Sequence, residues 1–140
     1  MSLIGDKIKE VEKYLSDLEK VAPETIEAYL KNLEKRLACE RAFEKIIESV
    51  NDLAILIIKE KRFQMPNEDI KAFEVLSDKK IISKELADSL KEAKGMRNFL
   101  AHQYGKIDDE LVFEAVQKEV FDDVNEFISQ IEKYFEKRKK

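Results

Sequence analysis

The stretch Phe43-Glu44-Lys45-Ile46-Ile47-Glu48-Ser49-Val50-Asn51-Asp52-Leu53-Ala54-Ile55-Leu56-Ile57-Ile58 repeats its apolar residues at steps of three and four. Phe43, Ile47, Val50, Ala54 and Ile57 therefore fall on one side of an α-helix, whereas a half-buried strand would need strict alternation. The same period runs upstream through Ile26, Leu30, Leu33 and Leu37 and downstream to about Arg62. Two outcomes are open. One is a continuous helix from about residue 25 to 62; the other is a break or kink between Asn32 and Leu37, because such a length far exceeds the usual globular helix and no sequence cap decides. The longest unbroken apolar run, Leu53 to Ile58, is far short of the roughly 20 residues that a bilayer span requires. No membrane crossing is expected.

Outward from this segment the pattern stays helical. Ile4, Ile8, Val11, Leu15 and Leu18 line one face of a first helix running to about Lys20, and Pro23 punctuates it. Beyond Pro66-Asn67, the segment Glu68 to Leu76, with Ile70, Phe73 and Leu76 in register, predicts a short third helix. Ser83 is a natural N-cap for a fourth helix that carries Leu86, Leu90, Ala93, Met96, Phe99 and Leu100 and stops at Gly105. Asp108 caps a last helix, whose stripe runs from Leu111 and Val112 to Ile131 and Phe135 before the basic tail Lys137-Arg138-Lys139-Lys140. No repeat or low-complexity linker divides the chain. The expectation is a single all-α domain over residues 1–140, an up-and-down bundle of about five helices.

Composition agrees with this. Charged residues make up 40% and apolar residues 44% of the 140, with only three glycines and two prolines, a balance suited to amphipathic helices. Thirty acidic against 26 basic residues give a net charge of −4, so the molecule lacks the overall cationic field of nonspecific nucleic-acid binders, and any RNA contact must be local. The single cysteine, Cys39, cannot form an internal disulfide and reads as a small buried hydrophobe. The N-terminus carries no apolar signal-like run, which points to the cytoplasm. No Gly-rich phosphate loop, nucleophile elbow or Cys/His metal cluster is present, so no cofactor and no metal is expected.

The residues that suggest chemistry sit in Arg97-Asn98-Phe99-Leu100-Ala101-His102-Gln103-Tyr104. His102 is the only histidine, and imidazole alone among side chains has an ordinary pKa that lets it both take and give protons near neutrality. It also suits the negative end of a helix dipole, a purely structural reason to be there. Arg97 can grip a phosphate bidentately, Asn98 can orient the phosphate or the imidazole, or simply cover polar surface, and Tyr104 offers a phenol. At about 100° per residue, Asn98 and His102 lie about 40° apart and Arg97 and Tyr104 about 20° apart, but Arg97 and His102 are separated by about 140°. The two are splayed, which calls for a cleft at the helix end completed by other groups, a second subunit among them. Asn51 and Asp52 are polar within the stripe of the second helix; they are candidates to face the cleft, with solvent exposure as the plainer reading. The basic tail reads either as an RNA contact or as a frayed cationic helix end.

The spacing Arg97, four residues, His102, Gln103, Tyr104 resembles the Arg-x4-His-x-Tyr motif of HepT-type HEPN toxins. The resemblance extends to Glu40-Arg41 leading into the Ile/Ala-rich helix with Asp52-Leu53-Ala54, to the loop before Glu68, and to Tyr104-Gly105-Lys106-Ile107-Asp108. It implies a HEPN-type bundle that forms a homodimer, and a metal-independent endoribonuclease, the toxin of a type II toxin-antitoxin pair, cutting RNA in a cleft at the dimer interface. Arg97 and His102 would be catalytic. Two histidines per dimer would let one act as base and the other as acid, or His102 would only position phosphate. Tyr104 would be the residue to which a partner nucleotidyltransferase, the antitoxin, adds AMP, and the added negative charge would block an anionic substrate. Two other readings stay open: a helical module without nuclease activity that associates with a nucleotidyltransferase and is regulated or modified by it, and a packed bundle in which the motif is only a polar helix end.

Overall fold

The computed structural model describes residues 2–102 and 107–138. Its helices are α1 (Leu3–Val21), α2 (Ile26–Lys31), α3 (Leu33–Glu60), α4 (Ala72–Asp78), α5 (Lys84–His102), α6 (Asp109–Glu114) and α7 (Val120–Arg138). A 3₁₀ turn, Asp69–Lys71, leads into α4, and a π-helical turn, Ala115–Glu119, joins α6 to α7. No strand occurs among the described residues. The five helical segments expected from periodicity are all present, two of them divided.

The long second segment breaks at Asn32, one of the two outcomes the sequence left open. Asn32 adopts φ −121° and ψ 98°, and its Oδ1 accepts a hydrogen bond from the Lys35 amide at 3.0 Å, so one residue ends α2 and caps α3. Thr25 caps α2 in the same way, accepting from the Ala28 amide at 3.1 Å. The corner turns Tyr29 fully into the core, where its ring lies 5.5 Å from that of Phe113. Burial pushes the Tyr29 phenol far above its ordinary value, and the Cys39 thiol, also buried, is pushed up to about 11.

α3 is the axis of the bundle. Phe43, Ile46, Ile47, Val50, Leu53, Ala54, Ile57 and Ile58 are all buried, because α1 packs along one side of it and α4 and α5 along others. α1 contributes Ile8, Val11, Leu15 and Leu18; α7, packed on α5, contributes Val124, Phe127 and Ile131. Phe127 meets Phe73 of α4 edge-on at 6.0 Å. α3 and α4 end alike, without glycine. Arg62 (φ 58°) and Lys80 (φ 64°) take the left-handed conformation, while Phe63 bonds back to the Ile58 carbonyl at 3.0 Å and Ile81 to that of Leu76 at 2.9 Å.

Two expectations are corrected here. The third helix does not begin at Glu68: a 3₁₀ turn precedes α4, which extends to Asp78, because the Asp69 backbone is taken up by a side chain of α3, described below. The last helix is not regular throughout, since the π turn at Ala115–Glu119 inserts a residue into the ladder between α6 and α7. The stop of the fourth helix at Gly105 lies outside the described residues.

Glu40 is buried near Tyr29 and Cys39 at the start of α3, and burial, aided by Asp109 and Glu44 and opposed by Arg36, raises its carboxyl above the ordinary value. A carboxyl whose folded pKa is raised penalises the fold when ionised, and the penalty fades as pH falls through the raised value. Glu40→Gln is therefore expected to raise the melting temperature at pH 7, with the gain shrinking as pH falls towards 4.5, the ordinary value. Thermal melts across that range check the sign; a gain independent of pH would contradict it.

Candidate functional site

The candidate residues are carried by the last turns of α5. Its apolar period, Leu86, Leu90, Ala93 and Leu100, holds it on α3, α4 and α7. One member of the buried face is not apolar. Lys94 is 2% exposed, one turn before Arg97. Its Nζ lies 3.3 Å from Glu48 Oε2 on α3 and 3.6 Å from Asp69 Oδ2 in the 3₁₀ turn. An ammonium carried this deep requires such partners, since burying an unpaired charge is strongly unfavourable.

Arg97 draws on the same carboxylate. Its Nη2 lies 3.2 Å from Glu48 Oε2, and its Nη1 donates to Asn98 Oδ1 at 3.1 Å. Its Nε is enclosed and has no hydrogen-bond partner among the described residues. The side chain is 22% exposed, so the guanidinium reaches the surface while being held from behind. Asn98 is half-buried and touches Arg97. His102 is exposed at the very end of α5. Arg97 turned towards α3 and His102 turned outwards match the splay anticipated from the helical period. Tyr104 lies outside the described residues, as does the end of the basic tail, Lys139 and Lys140.

The two polar residues of α3 part company. Asn51 is 1% exposed, which corrects the expectation of solvent exposure: its Nδ2 donates to the Asp69 carbonyl at 2.8 Å, and its Oδ1 is enclosed without a partner among the described residues. It holds the turn that brings Asp69 to Lys94. Asp52 is exposed and lines an open groove of about 460 Å³ between α1 and α3 with Lys7, Glu10 and Lys59. Partial burial raises its carboxyl above the ordinary value against the pull of Lys7. The structure thus joins Arg97, Asn98, Glu48, Lys94, Asp69 and Asn51 through shared contacts, and places Asp52 in the groove on the α1 side.

Glu48, Lys94 and Asp69 were not candidates from the sequence. A signal existed: Lys94 stands four residues after Leu90 in the apolar register of α5, and Glu48 lies between the buried Ile47 and Ser49. A cation at a core-facing position of one helix predicts an acidic partner from another, but only packing shows that Lys94 and Glu48 meet.

The far side of α5 has the opposite character. Glu92, Glu114, Glu119, Asp122 and Asp123 rim a groove of about 480 Å³ floored by Phe43, Ile47 and Leu90. Burial, with Glu119, Asp122 and Glu92 adding to it, raises the Asp123 carboxyl. A polyanion is disfavoured there. No group of three or more His, Cys, Asp or Glu residues among those described could hold a metal ion, and none of the described helices is long and apolar enough to cross a membrane.

Residues 11–131 match the family described as ribonuclease HepT-like. The chain belongs to the HepT-like family. Among the relatives of this HepT-like chain are a candidate RNase of Archaeoglobus fulgidus, 36% identical over 91 residues (65% of this chain and 67% of that protein), and a tRNA nuclease HepT of Aphanizomenon flos-aquae, 28% identical over 114 residues (81% and 78%). Among solved structures, the tri-AMPylated HEPN toxin of Shewanella oneidensis in complex with MNT antitoxin superposes with a TM-score of 0.86 at 22% identity, over 94% of this chain and 98% of that one. The fold is therefore the HEPN bundle.

Asn51 provides a test of how this region is built. Asn51→Ala removes the donor to the Asp69 carbonyl and is expected to lower stability by about 1–2 kcal/mol. Chemical denaturation measures this; an unchanged midpoint would show that the 3₁₀ turn does not depend on the contact.

Proposed function

We propose that this chain is the toxin of a toxin-antitoxin pair, an endoribonuclease that cuts RNA without a metal, and that a partner nucleotidyltransferase silences it by adding AMP to Tyr104. The observation that carries this reading is the pairing, at one helix end, of a guanidinium held in place at the surface with an exposed imidazole five residues on, in a chain of the HepT-like family.

RNA brings its own nucleophile. Its 2′-hydroxyl can attack the adjacent phosphate once a base removes the proton, the leaving 5′-oxygen needs a proton, and the charge growing on the phosphoryl oxygens needs a cation. Arg97 supplies the cation and His102 the proton acceptor or donor. The other half of the acid-base pair comes from a second copy: in a homodimer, the α5 ends of two subunits line one cleft, with Asn98 supporting Arg97. Exposed Leu30, Leu33, Leu37 and Leu111 favour self-association, since apolar side chains of this size gain from cover. The proposed place of action is the cytoplasm, which the unpaired, buried Cys39 suits.

Modification follows from the same electrostatics. Tyr104 stands two positions beyond His102 in the sequence, so an AMP group on its phenolic oxygen would add negative charge to the motif proposed to bind an anionic substrate. The solved relative that is AMPylated and bound to an antitoxin supports this reading.

The purified, unmodified protein is expected to cleave RNA in the presence of a chelator, and His102→Ala or Arg97→Ala to lower the rate by about a hundredfold or more, the scale of a lost acid-base or phosphate-binding group. Parental rates in either variant would refute the assignment. Coexpression with a cognate nucleotidyltransferase should yield an AMP adduct, located by mass spectrometry on Tyr104 and absent from Tyr104→Phe; an adduct elsewhere would move the regulatory site.

A further inference from the structure

We infer that Glu48 is the positioning residue for Arg97: anchored by the buried Lys94, its carboxylate holds the guanidinium in the orientation that receives the phosphate. The inference rests on the proposed ribonuclease reading and adds to it residues outside the Arg-x4-His-x-Tyr motif.

The geometry is specific. One oxygen, Glu48 Oε2, accepts a hydrogen bond from Lys94 Nζ at 3.3 Å and forms an ion pair with Arg97 Nη2 at 3.2 Å. Lys94 and Arg97 are three residues apart on α5, and Glu48 projects from α3, so the contact crosses two helices. The three charges differ in freedom. Lys94 is 3% exposed at its side chain and is held a second time by Asp69, whereas the Glu48 side chain is 45% exposed and Arg97 22%. Lys94 is thus the fixed point, Glu48 the lever, and Arg97 the group being aimed. Asn98 holds the other nitrogen of the guanidinium from its own helix.

An arginine needs such aiming. Its long side chain loses much rotamer freedom when it must hold a phosphate, and pre-fixing it transfers that loss to folding. The need is greater here because Arg97 and His102 leave the helix about 140° apart, so an untethered guanidinium would sweep a wide arc relative to the imidazole. Asp69, tied through its carbonyl to Asn51, shares the buried ammonium and leaves Glu48 able to serve both cations.

The test compares the parent protein with Glu48→Gln, Glu48→Leu/Lys94→Leu, Arg97→Gln and Glu48→Gln/Arg97→Gln. The double leucine variant removes the buried ammonium together with its partner, which folds tolerate far better than a stranded charge. Both Glu48 variants are expected to lose about tenfold to a hundredfold in kcat, the scale of a displaced catalytic group, with KM for RNA changing much less. In the Arg97→Gln background, Glu48→Gln should have no further effect, because it acts only through Arg97. Parental kcat in both Glu48 variants, or an undiminished loss in the Arg97→Gln background, would overturn the inference. The Arg97 Nε–Hε resonance separates this from the ribonuclease reading. It should stand apart from those of exposed arginines in the parent and merge with them in both Glu48 variants. If the parent cuts no RNA but the resonance behaves so, the ribonuclease reading fails and the tether stands; if the resonance is unchanged by the substitutions, the tether fails whatever the activity.

Discussion

Lys94 carries an ammonium group into the packed face of α5, and much of the arrangement around the candidate site answers to that charge. Hydrocarbon neighbours cannot solvate it, so carboxylates have to be brought to it from outside α5. Glu48 comes from the bundle axis α3 and Asp69 from the turn ahead of α4. Asn51 then has to hold that turn by its backbone, which is why the segment after Glu68 enters as a 3₁₀ turn before it becomes α4. A single charge thereby sets α3, α5 and the α4 entrance in register with one another. Hydrophobic burial is less particular about small shifts between helices than an ion pair on a buried ammonium, whose favourable term depends on distance.

The same arrangement divides α5 electrostatically. Towards α3 it presents Lys94 and Arg97, with their charge directed to the surface through the guanidinium; towards the π turn and α7 it borders a groove rimmed by five carboxylates. A net charge of −4 is therefore compatible with an RNA substrate, because acidic groups crowd one side of the helix and the cation that matters is held on the other. The π turn belongs to this division. By inserting a residue between α6 and α7 it re-aims the stripe, so that Val116, Val120 and Val124 remain buried while Glu119 and Asp122 stay at the rim.

The helical part of the molecule was legible before folding was considered. Period-3.6 spacing marked all five segments, and Ser83 and Asp108 announced helix starts, since a capping side chain bonds to amides only two or three residues away. Arg97, Asn98 and His102 were legible as a motif, and their splay followed from helix geometry alone. The break at Asn32 was only half legible: its side chain can cap a helix, but the choice between a cap and a continuous helix depends on whether Tyr29 gains more by turning into the core. Asn51 misled because the same amide that seeks water on a surface can satisfy a carbonyl in the interior.

Local order, then, was already settled by the chain: which segments coil, where they start, and which residues share a helix end, all depend on contacts within about four residues. The partners of Arg97 were not. Glu48 lies 46 residues from Lys94 along the chain, and the meeting of their charges depends on how α3 and α5 pack. Lys94 and Glu48, read separately, are two of many charges on amphipathic helices; the burial of Lys94 and its pairing with Glu48 exist only once the helices have closed on one another.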